Sequence, residues 1–110
     1  DHNSVVYTGT HDNDTTLGWF NSLNDHDKQR IYHYLGYSQA SMPYLLIGTA
    51  FSSVSNLAIV PMQDILELGS ADRMNTPGTT EGNWQWQFSW EQLDEGKSAK
   101  LAGLVKMFSR

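Results

Sequence analysis

The chain has 110 residues, of which 39% are hydrophobic and 17% charged, with a formal net charge of -5 and no cysteine. This length is sufficient for one domain or part of one, and no apolar run approaches the roughly 20 residues that cross a bilayer. The scattered Lys and Arg disfavour a nucleic-acid-binding surface, and without cysteine neither a disulfide nor a thiolate metal site can form. No signal peptide is visible, so we expect a cytoplasmic protein with neither membrane nor nucleic acid as partner.

Strands and helices alternate in the first half of the chain. Val5 to Tyr7 form a short β-branched and aromatic run, which predicts a brief buried strand. The sequence LGWFNSL predicts a short helix after it. A second helix is predicted between the cap Asn24 and the terminating Gly36, because apolar residues within it recur at helical spacing.

A third helix is predicted to begin at Ser41 and Pro43, and it is apolar around much of its circumference. Its apolar residues are Leu45, Leu46, Ile47, Ala50, Phe51 and Val54. Such a helix is expected between two layers. Leu57 to Pro61 then form a nearly continuous apolar strand, typical of a parallel sheet buried on both faces. Together these elements predict a right-handed β-α-β unit of the α/β class.

The second half of the chain is predicted to be mostly irregular and then helical. Glycine and proline are concentrated between Met62 and Trp84, which predicts a long loop with one helical turn at Asp64 to Leu68. A final helix is predicted after the cap Asp94. Its apolar face contains Leu101, Leu104, Val105 and Phe108. No linker interrupts the chain, so we interpret residues 1–110 as a single segment.

Two polar loops follow the two predicted strands. The first contains His11, Asp12, Asn13 and Asp14, and the second is the long irregular loop after Pro61. In parallel α/β architectures, ligand sites form at the edge where the carboxyl ends of the strands meet. The two loops are therefore predicted to form the walls of one site.

Metal binding is one alternative for the first loop, since oxygen and imidazole ligands suit several divalent ions. The candidate ligands are His11, Asp12 and Asp14. A calcium loop that begins at Asp12 fails, because Leu17 stands where glycine is needed and Leu23 where a bidentate glutamate is needed. We therefore expect no metal and no cofactor.

Turn and cap roles are a plainer interpretation of the same loop. Asp, Asn and Thr side chains bond neighbouring backbone N–H groups, which is sufficient to explain Asp14, Thr15 or Thr16. It does not account for His11 and Asp12 together, since one cap needs one acceptor.

Four residues of the second loop also have two interpretations. Trp84 and Trp86 share one face if their segment is extended, with core packing as the alternative for at least one of them. Asp64 and Glu67 can each be interpreted as part of a solvated face, and for Glu67 we prefer this interpretation.

Two motifs carry a family resemblance. They are VVYTGTHDNDTTLGW and, after a helical spacer, IVPMQDILELGSADRMNTPGTTEGNWQWQF. In this order they closely resemble the carboxyl-terminal part of the amylomaltases and plant disproportionating enzymes, the 4-α-glucanotransferases of glycoside hydrolase family 77. The resemblance extends over nearly the whole chain. It implies a helix-rich fragment of a (β/α)8 TIM barrel, with Val5 to Thr8 as the seventh strand and Leu57 to Pro61 as the eighth.

The resemblance also implies an activity and its residues. The family transfers an α-1,4-glucan segment between chains of maltodextrin, starch or glycogen with retention, which requires a nucleophile and an acid/base about 5 Å apart. By match of motif, Asp12 is a third catalytic carboxylate that binds ring hydroxyls. His11 and Asn75 correspond to residues that contact the substrate.

The resemblance further implies that the chain is a C-terminal fragment. In this family the nucleophile and the acid/base belong to the fourth and fifth strands, and a whole barrel takes about 250 residues. We therefore expect the chain to be inactive alone. Two strands leave both outer edges unpaired, so self-association or pairing with the missing barrel segment is expected. A non-catalytic α-glucan-binding module and a complementation fragment are the alternative interpretations.

Overall fold

The computed structural model describes residues 2–36 and 41–110, and in these ranges it contains two short strands and five α-helices. The elements are β1 (Val5–Tyr7), α1 (Thr16–Ser22), α2 (Asp25–Leu35), α3 (Tyr44–Phe51), β2 (Leu57–Ile59), α4 (Met62–Ile65) and α5 (Glu95–Met107), with single 3-10 turns at Ser70–Asp72 and Trp90–Gln92. The fold is therefore a helix-rich α/β arrangement, as the sequence predicts.

The two strands pair in parallel, with Val5 opposite Leu57 and Tyr7 opposite Ile59. Three helices lie between them in the chain, so the predicted β-α-β order is confirmed. Because parallel strands end at the same edge, the loops after Tyr7 and Ile59 leave the sheet side by side.

Three predicted helix boundaries are confirmed by their capping contacts. Asn24 Oδ1 accepts a hydrogen bond from the Asp27 N–H at 2.8 Å, which begins α2. The same helix ends at Gly36, whose φ of 82° suits a residue without a Cβ. Asp94 begins α5 by accepting from the Lys97 N–H at 2.9 Å, and this bond holds the pKa of Asp94 below its usual range.

Helix α3 lies between two hydrophobic clusters, as its apolar circumference predicts. On one side, Leu45 packs with Phe20, and side chains of α2 cover them. On the other side, Ile47, which is fully buried, and Phe51 pack against β2 and α5. The central helix therefore connects the N-terminal helices to the sheet and to α5.

Tyr44, in the first turn of α3, connects this helix to the segment after β2. Its hydroxyl donates to the Ile65 carbonyl oxygen at 2.7 Å. Burial, together with the nearby carboxylates of Glu67 and Asp94, raises the pKa of Tyr44 to about 12.

The predicted burial of both strands is wrong. Alternate residues of the sheet, namely Val5, Tyr7, Leu57 and Ile59, leave between 41% and 51% of their surface exposed. The opposite face is covered, because Ala58 packs against the cluster of Ile47 and Phe51. In the described part of the chain, the sheet therefore has one covered face and one open apolar face.

The helical turn predicted at Asp64 to Leu68 begins earlier, at Met62. Pro61 precedes it, and its carbonyl oxygen accepts from the Asp64 N–H at 3.0 Å, so the turn starts directly after Pro61. The turn is capped at Leu66, because the next residue, Glu67, has a φ of 60°, which is incompatible with a right-handed helix. Within residues 2–36 and 41–110, no helix is long and apolar enough to cross a membrane.

Candidate functional site

A cavity of about 480 Å³ opens at the edge where both strands end. It is lined by Tyr7, Gly9, Thr10, His11, Asn13, Asp14, Thr15, Ile59, Pro61, Gln63, Asp64, Arg73, Met74 and Trp84. These residues come from the ends of both strands and from the two loops that follow them. Both polar loops therefore line one cavity, as the sequence predicts.

The structure brings together the three predicted site residues. Asp12 Oδ1 accepts a hydrogen bond from Asn75 Nδ2 at 2.7 Å, and Asp12 Oδ2 lies 3.3 Å from His11 Nε2. The side chains of His11 and Asp12 are 54% and 53% exposed. His11 lines the cavity, while Asp12 and Asn75 lie beside it rather than in its lining. The cluster can therefore contact a solute at the rim of the cavity.

Arg73 joins the backbones of the two loops. Its Nη2 donates to the Asp12 carbonyl oxygen at 3.2 Å, and its Nε donates to the Asn75 carbonyl oxygen at 3.3 Å. A planar guanidinium can make both bonds at once, which a lysine could not reproduce. This contact between residues 61 positions apart holds Asp12 near Asn75.

Asp64 is a further polar residue of the site, and its interpretation as part of a solvated face is wrong. The residue is 1% exposed. Its Oδ2 accepts from the hydroxyls of Thr8 at 2.8 Å and Thr16 at 2.6 Å, and its Oδ1 accepts from the Thr16 N–H at 2.8 Å. Sequence reasoning missed this role, because the partners of Asp64 lie 48 and 56 positions away in the chain.

The cap interpretation of the first loop is confirmed for Thr15, whose hydroxyl accepts from the Gly18 N–H at 3.0 Å at the start of α1. Asp14 also accepts locally, from the Thr15 N–H at 2.7 Å. Its other oxygen accepts from the Ser70 hydroxyl at 2.6 Å. Asp14 therefore connects the first loop to the second.

The two tryptophans have different surroundings. Trp84 has a φ of 63°, which excludes the extended backbone on which a shared face depends. The residue is 60% exposed, and its ring centroid lies 4.8 Å from that of His11, at an interplanar angle of 40°. Trp86 instead donates from Nε1 to Asp72 Oδ1 at 3.0 Å. Neither residue belongs to the two hydrophobic clusters.

Metal ligands do not converge in the part of the chain that the structure describes. There, no three His, Asp or Glu side chains lie close enough to hold an ion together. The site instead offers carboxylate, amide and imidazole groups beside an aromatic ring, a set that suits a neutral polyhydroxylated ligand.

The chain matches the family model of the 4-alpha-glucanotransferases, glycoside hydrolase family 77, over residues 1–93. It therefore belongs to this family.

Individual relatives agree with the family match. A 4-alpha-glucanotransferase from Synechocystis sp. is 49% identical over 98% of this chain, and a chloroplastic/amyloplastic 4-alpha-glucanotransferase from Arabidopsis thaliana is 44% identical over 98%. These alignments span 22% and 19% of the two relatives, so the chain covers about a fifth of their length.

A solved structure shows the same fold. The amylomaltase from Streptococcus agalactiae in complex with acarbose superposes with a TM-score of 0.92 at 33% identity. The superposition covers 100% of this chain and 22% of the amylomaltase chain. The family resemblance stated from the sequence motifs is thereby confirmed.

Proposed function

We propose that the chain contributes the third carboxylate and part of the substrate wall to a 4-α-glucanotransferase that disproportionates α-1,4-glucans such as maltodextrin, starch and glycogen. The observation that carries the proposal is the 2.7 Å contact between Asp12 and Asn75 at the meeting point of the two loops. Asp12 is the catalytic residue of this segment, and His11 and Asn75 are its substrate-binding residues.

The geometry suits recognition of a sugar ring. A carboxylate oxygen accepts strong, charge-assisted hydrogen bonds from hydroxyl groups. Asp12 is half exposed and already oriented by Asn75 Nδ2 and by the nearby His11. A carboxylate that binds ring hydroxyls more tightly as the ring flattens accelerates the reaction, because that interaction is strongest in the transition state.

The covalent steps of a retaining transfer belong elsewhere in the enzyme. Retention needs a nucleophilic carboxylate and an acid/base carboxylate about 5 Å apart. We assign neither role to a residue of this chain, and the isolated chain is accordingly inactive.

The fold proposal is that β1 and β2 are the seventh and eighth strands of a (β/α)8 barrel, with residues 1–110 as one C-terminal segment of its catalytic domain. Support comes from the parallel pairing and from the polar loops at the carboxyl ends of both strands. The open apolar face of the sheet, with Tyr7 and Ile59 at its end, is the face that a barrel interior would cover.

The same open face and the unpaired strand edges favour association of the isolated chain. We propose that it self-associates or pairs with the remaining barrel segment, and that the protein acts in the cytoplasm. Sedimentation of the isolated chain as a stable monomer at micromolar concentration contradicts the self-association.

A chimeric enzyme tests the transferase proposal. The 110-residue chain replaces the equivalent 22% of the Streptococcus agalactiae amylomaltase, and the product is incubated with maltotriose. The expected result is glucose together with longer maltodextrins. A folded chimera that leaves maltotriose unchanged contradicts the proposal.

A non-catalytic glucan-binding module is the second candidate function. The observation that favours it is the exposed Trp84 ring, which lies beside the His11 ring and lines the cavity. A flat aromatic face suits the apolar face of a pyranose ring. Maltoheptaose binding by the isolated chain, together with an inactive chimera, supports this candidate over the transferase.

A further inference from the structure

Both ends of the loop that carries His11 and Asp12 are bonded to one buried side chain. Thr8 follows the last residue of β1, and Thr16 is the first residue of α1. The Asp64 carboxylate accepts hydrogen bonds from the side chains of both threonines and from the Thr16 N–H.

The geometry of these bonds makes Asp64 a rigid attachment point. The three donor–acceptor distances lie between 2.6 and 2.8 Å, in the range of charge-assisted hydrogen bonds to a carboxylate, which are stronger than bonds between neutral groups. Asp64 is 1% exposed, so a lost donor cannot readily be replaced by bulk water. One carboxyl group therefore holds the two ends of the loop at a fixed separation.

Asp64 also belongs to the other wall of the site. It lies in α4, the first helix after β2, and the same segment continues to Arg73 and Asn75. The two walls are thus bonded to each other at their bases through Asp64, while Asp12 and Asn75 meet at the rim. A shift of the loop ends would separate the Asp12 carboxylate from the Asn75 amide.

We propose that Asp64 is a positioning residue that fixes the loop between Thr8 and Thr16 in the geometry where Asp12 meets Asn75. The inference rests on the proposed function for its effect on catalysis, but its effect on the loop is independent of that function. Asp64 itself does not contact the sugar in this proposal. It acts through Asp12.

Two substitutions at Asp64 separate its hydrogen-bonding role from its size. Asp64→Ala removes all three acceptor interactions. Asp64→Asn keeps the shape, because its oxygen can still accept from the Thr16 N–H while its amide group donates to hydroxyls that rotate to accept. Thr8→Val removes the hydrogen bond from the Thr8 hydroxyl to Asp64 and leaves the two bonds from Thr16 at the start of α1. Glu67→Gln is the matched control in the same segment, since Glu67 pairs with Lys100 instead of with the loop.

The first measurement uses the 110-residue chain without ligand. In a ¹⁵N–¹H spectrum, the side-chain amide signal of Asn75 reports its hydrogen bond to Asp12. Asp64→Ala and Thr8→Val are expected to move this signal towards its position in Asp12→Ala. Asp64→Asn and Glu67→Gln leave it close to the wild-type position. An unmoved Asn75 signal in a folded Asp64→Ala chain overturns the inference.

The second measurement is a kinetic cycle in the chimeric amylomaltase. Asp64→Ala is expected to lower kcat by roughly 10²-fold, with a much smaller change in KM, because a small displacement of a reacting group has an effect of this size. In the Asp12→Asn background the same change lowers kcat no further, since Asp64 acts through Asp12. An equal loss in both backgrounds indicates a purely structural role and overturns the inference. Absence of activity in the wild-type chimera rejects the proposed function, and the Asn75 signal still decides the role of Asp64.

Discussion

The polar residues at the ends of the two strands divide into exposed and buried groups. His11 and Asp12 are about half exposed and can reach a solute, whereas Asp64 is buried. Asp64 and Arg73 bond to the loop backbone or to its flanking threonines. Exposure therefore separates His11 and Asp12, which a solute can reach, from Asp64, which it cannot.

Gly18 is a residue at which the packing of the site allows no side chain. A Cβ at this position would contact the Ser70 hydroxyl, which joins the loops by donating to Asp14 Oδ2, and would lie 2.7 Å from the other carboxylate oxygen, Asp14 Oδ1. We expect Gly18→Ala to lower the free energy of unfolding by about 1–3 kcal/mol, as overpacking does in other proteins. Urea denaturation of the isolated chain measures the change.

Gly103→Ala is the matched control for that substitution. Gly103 lies in α5, where an added Cβ meets nothing within 4 Å. Alanine is the better helix former there, so a gain of about 0.5–1 kcal/mol is expected. Equal effects of the two substitutions would contradict the packing argument.

Sequence reasoning could predict part of the site at the residue level. The proximity of Asp12 to the second loop follows from the rule that parallel strands end at one edge. The burial of Asp64 could not be predicted, because it depends on partners 48 and 56 positions away. The left-handed backbone of Trp84 has no sequence signal either, since tryptophan rarely adopts it.

At the level of elements, α3 is the centre of the packing. Its apolar residues contact α2 on one side and β2 with α5 on the other. Tyr44 adds a polar contact, since its hydroxyl donates to Ile65 in the helix that also carries Asp64. The helix thus supports the second wall of the site as well as the core.

Stability at high pH should depend on Tyr44. Its pKa is raised from 10.0 to about 12, so the folded state favours the neutral phenol. This contribution to stability is fully present below pH 10 and is lost as the pH rises from 10 to 12. Tyr44→Phe should show a smaller decline over this range, at a cost of about 1 kcal/mol at neutral pH for the lost hydrogen bond.

Chemical denaturation of both proteins at pH 8, 10 and 12 checks this prediction. The quantity to compare is the difference in unfolding free energy between wild type and Tyr44→Phe at each pH. The stability of the wild type relative to Tyr44→Phe should fall as the pH rises, and Tyr44→Phe should become the more stable protein near pH 12. A constant difference would show that the Tyr44 phenol titrates alike in the folded and unfolded states.

Element boundaries were more predictable than element burial. The caps Asn24 and Asp94 act within one helical turn, so local sequence specifies them. The exposure of Tyr7 and Ile59 depends instead on what covers the sheet. In the described residues each strand pairs only with the other, which leaves one apolar face open.

At the scale of the whole molecule, the chain is a member of the 4-α-glucanotransferase family that spans about a fifth of its relatives. Within the site, hydrogen bonds from Asn75 and Arg73 to Asp12 join the two loops. Its sheet is not covered on both faces. This contrast supports the proposal that the segment contributes both loops to an active site and relies on a larger barrel for the covalent chemistry.

The kinetics of Asp12→Asn in the chimeric amylomaltase test the central claim most directly. The substitution removes the charge and keeps the shape, so the fold should be unchanged while kcat for maltotriose disproportionation falls by about 10²-fold or more. Asp25→Asn, at an exposed position in the first turn of α2, is the control and should retain wild-type turnover. Near-normal kcat in a folded Asp12→Asn chimera would contradict the assignment of Asp12 as the catalytic carboxylate of this chain.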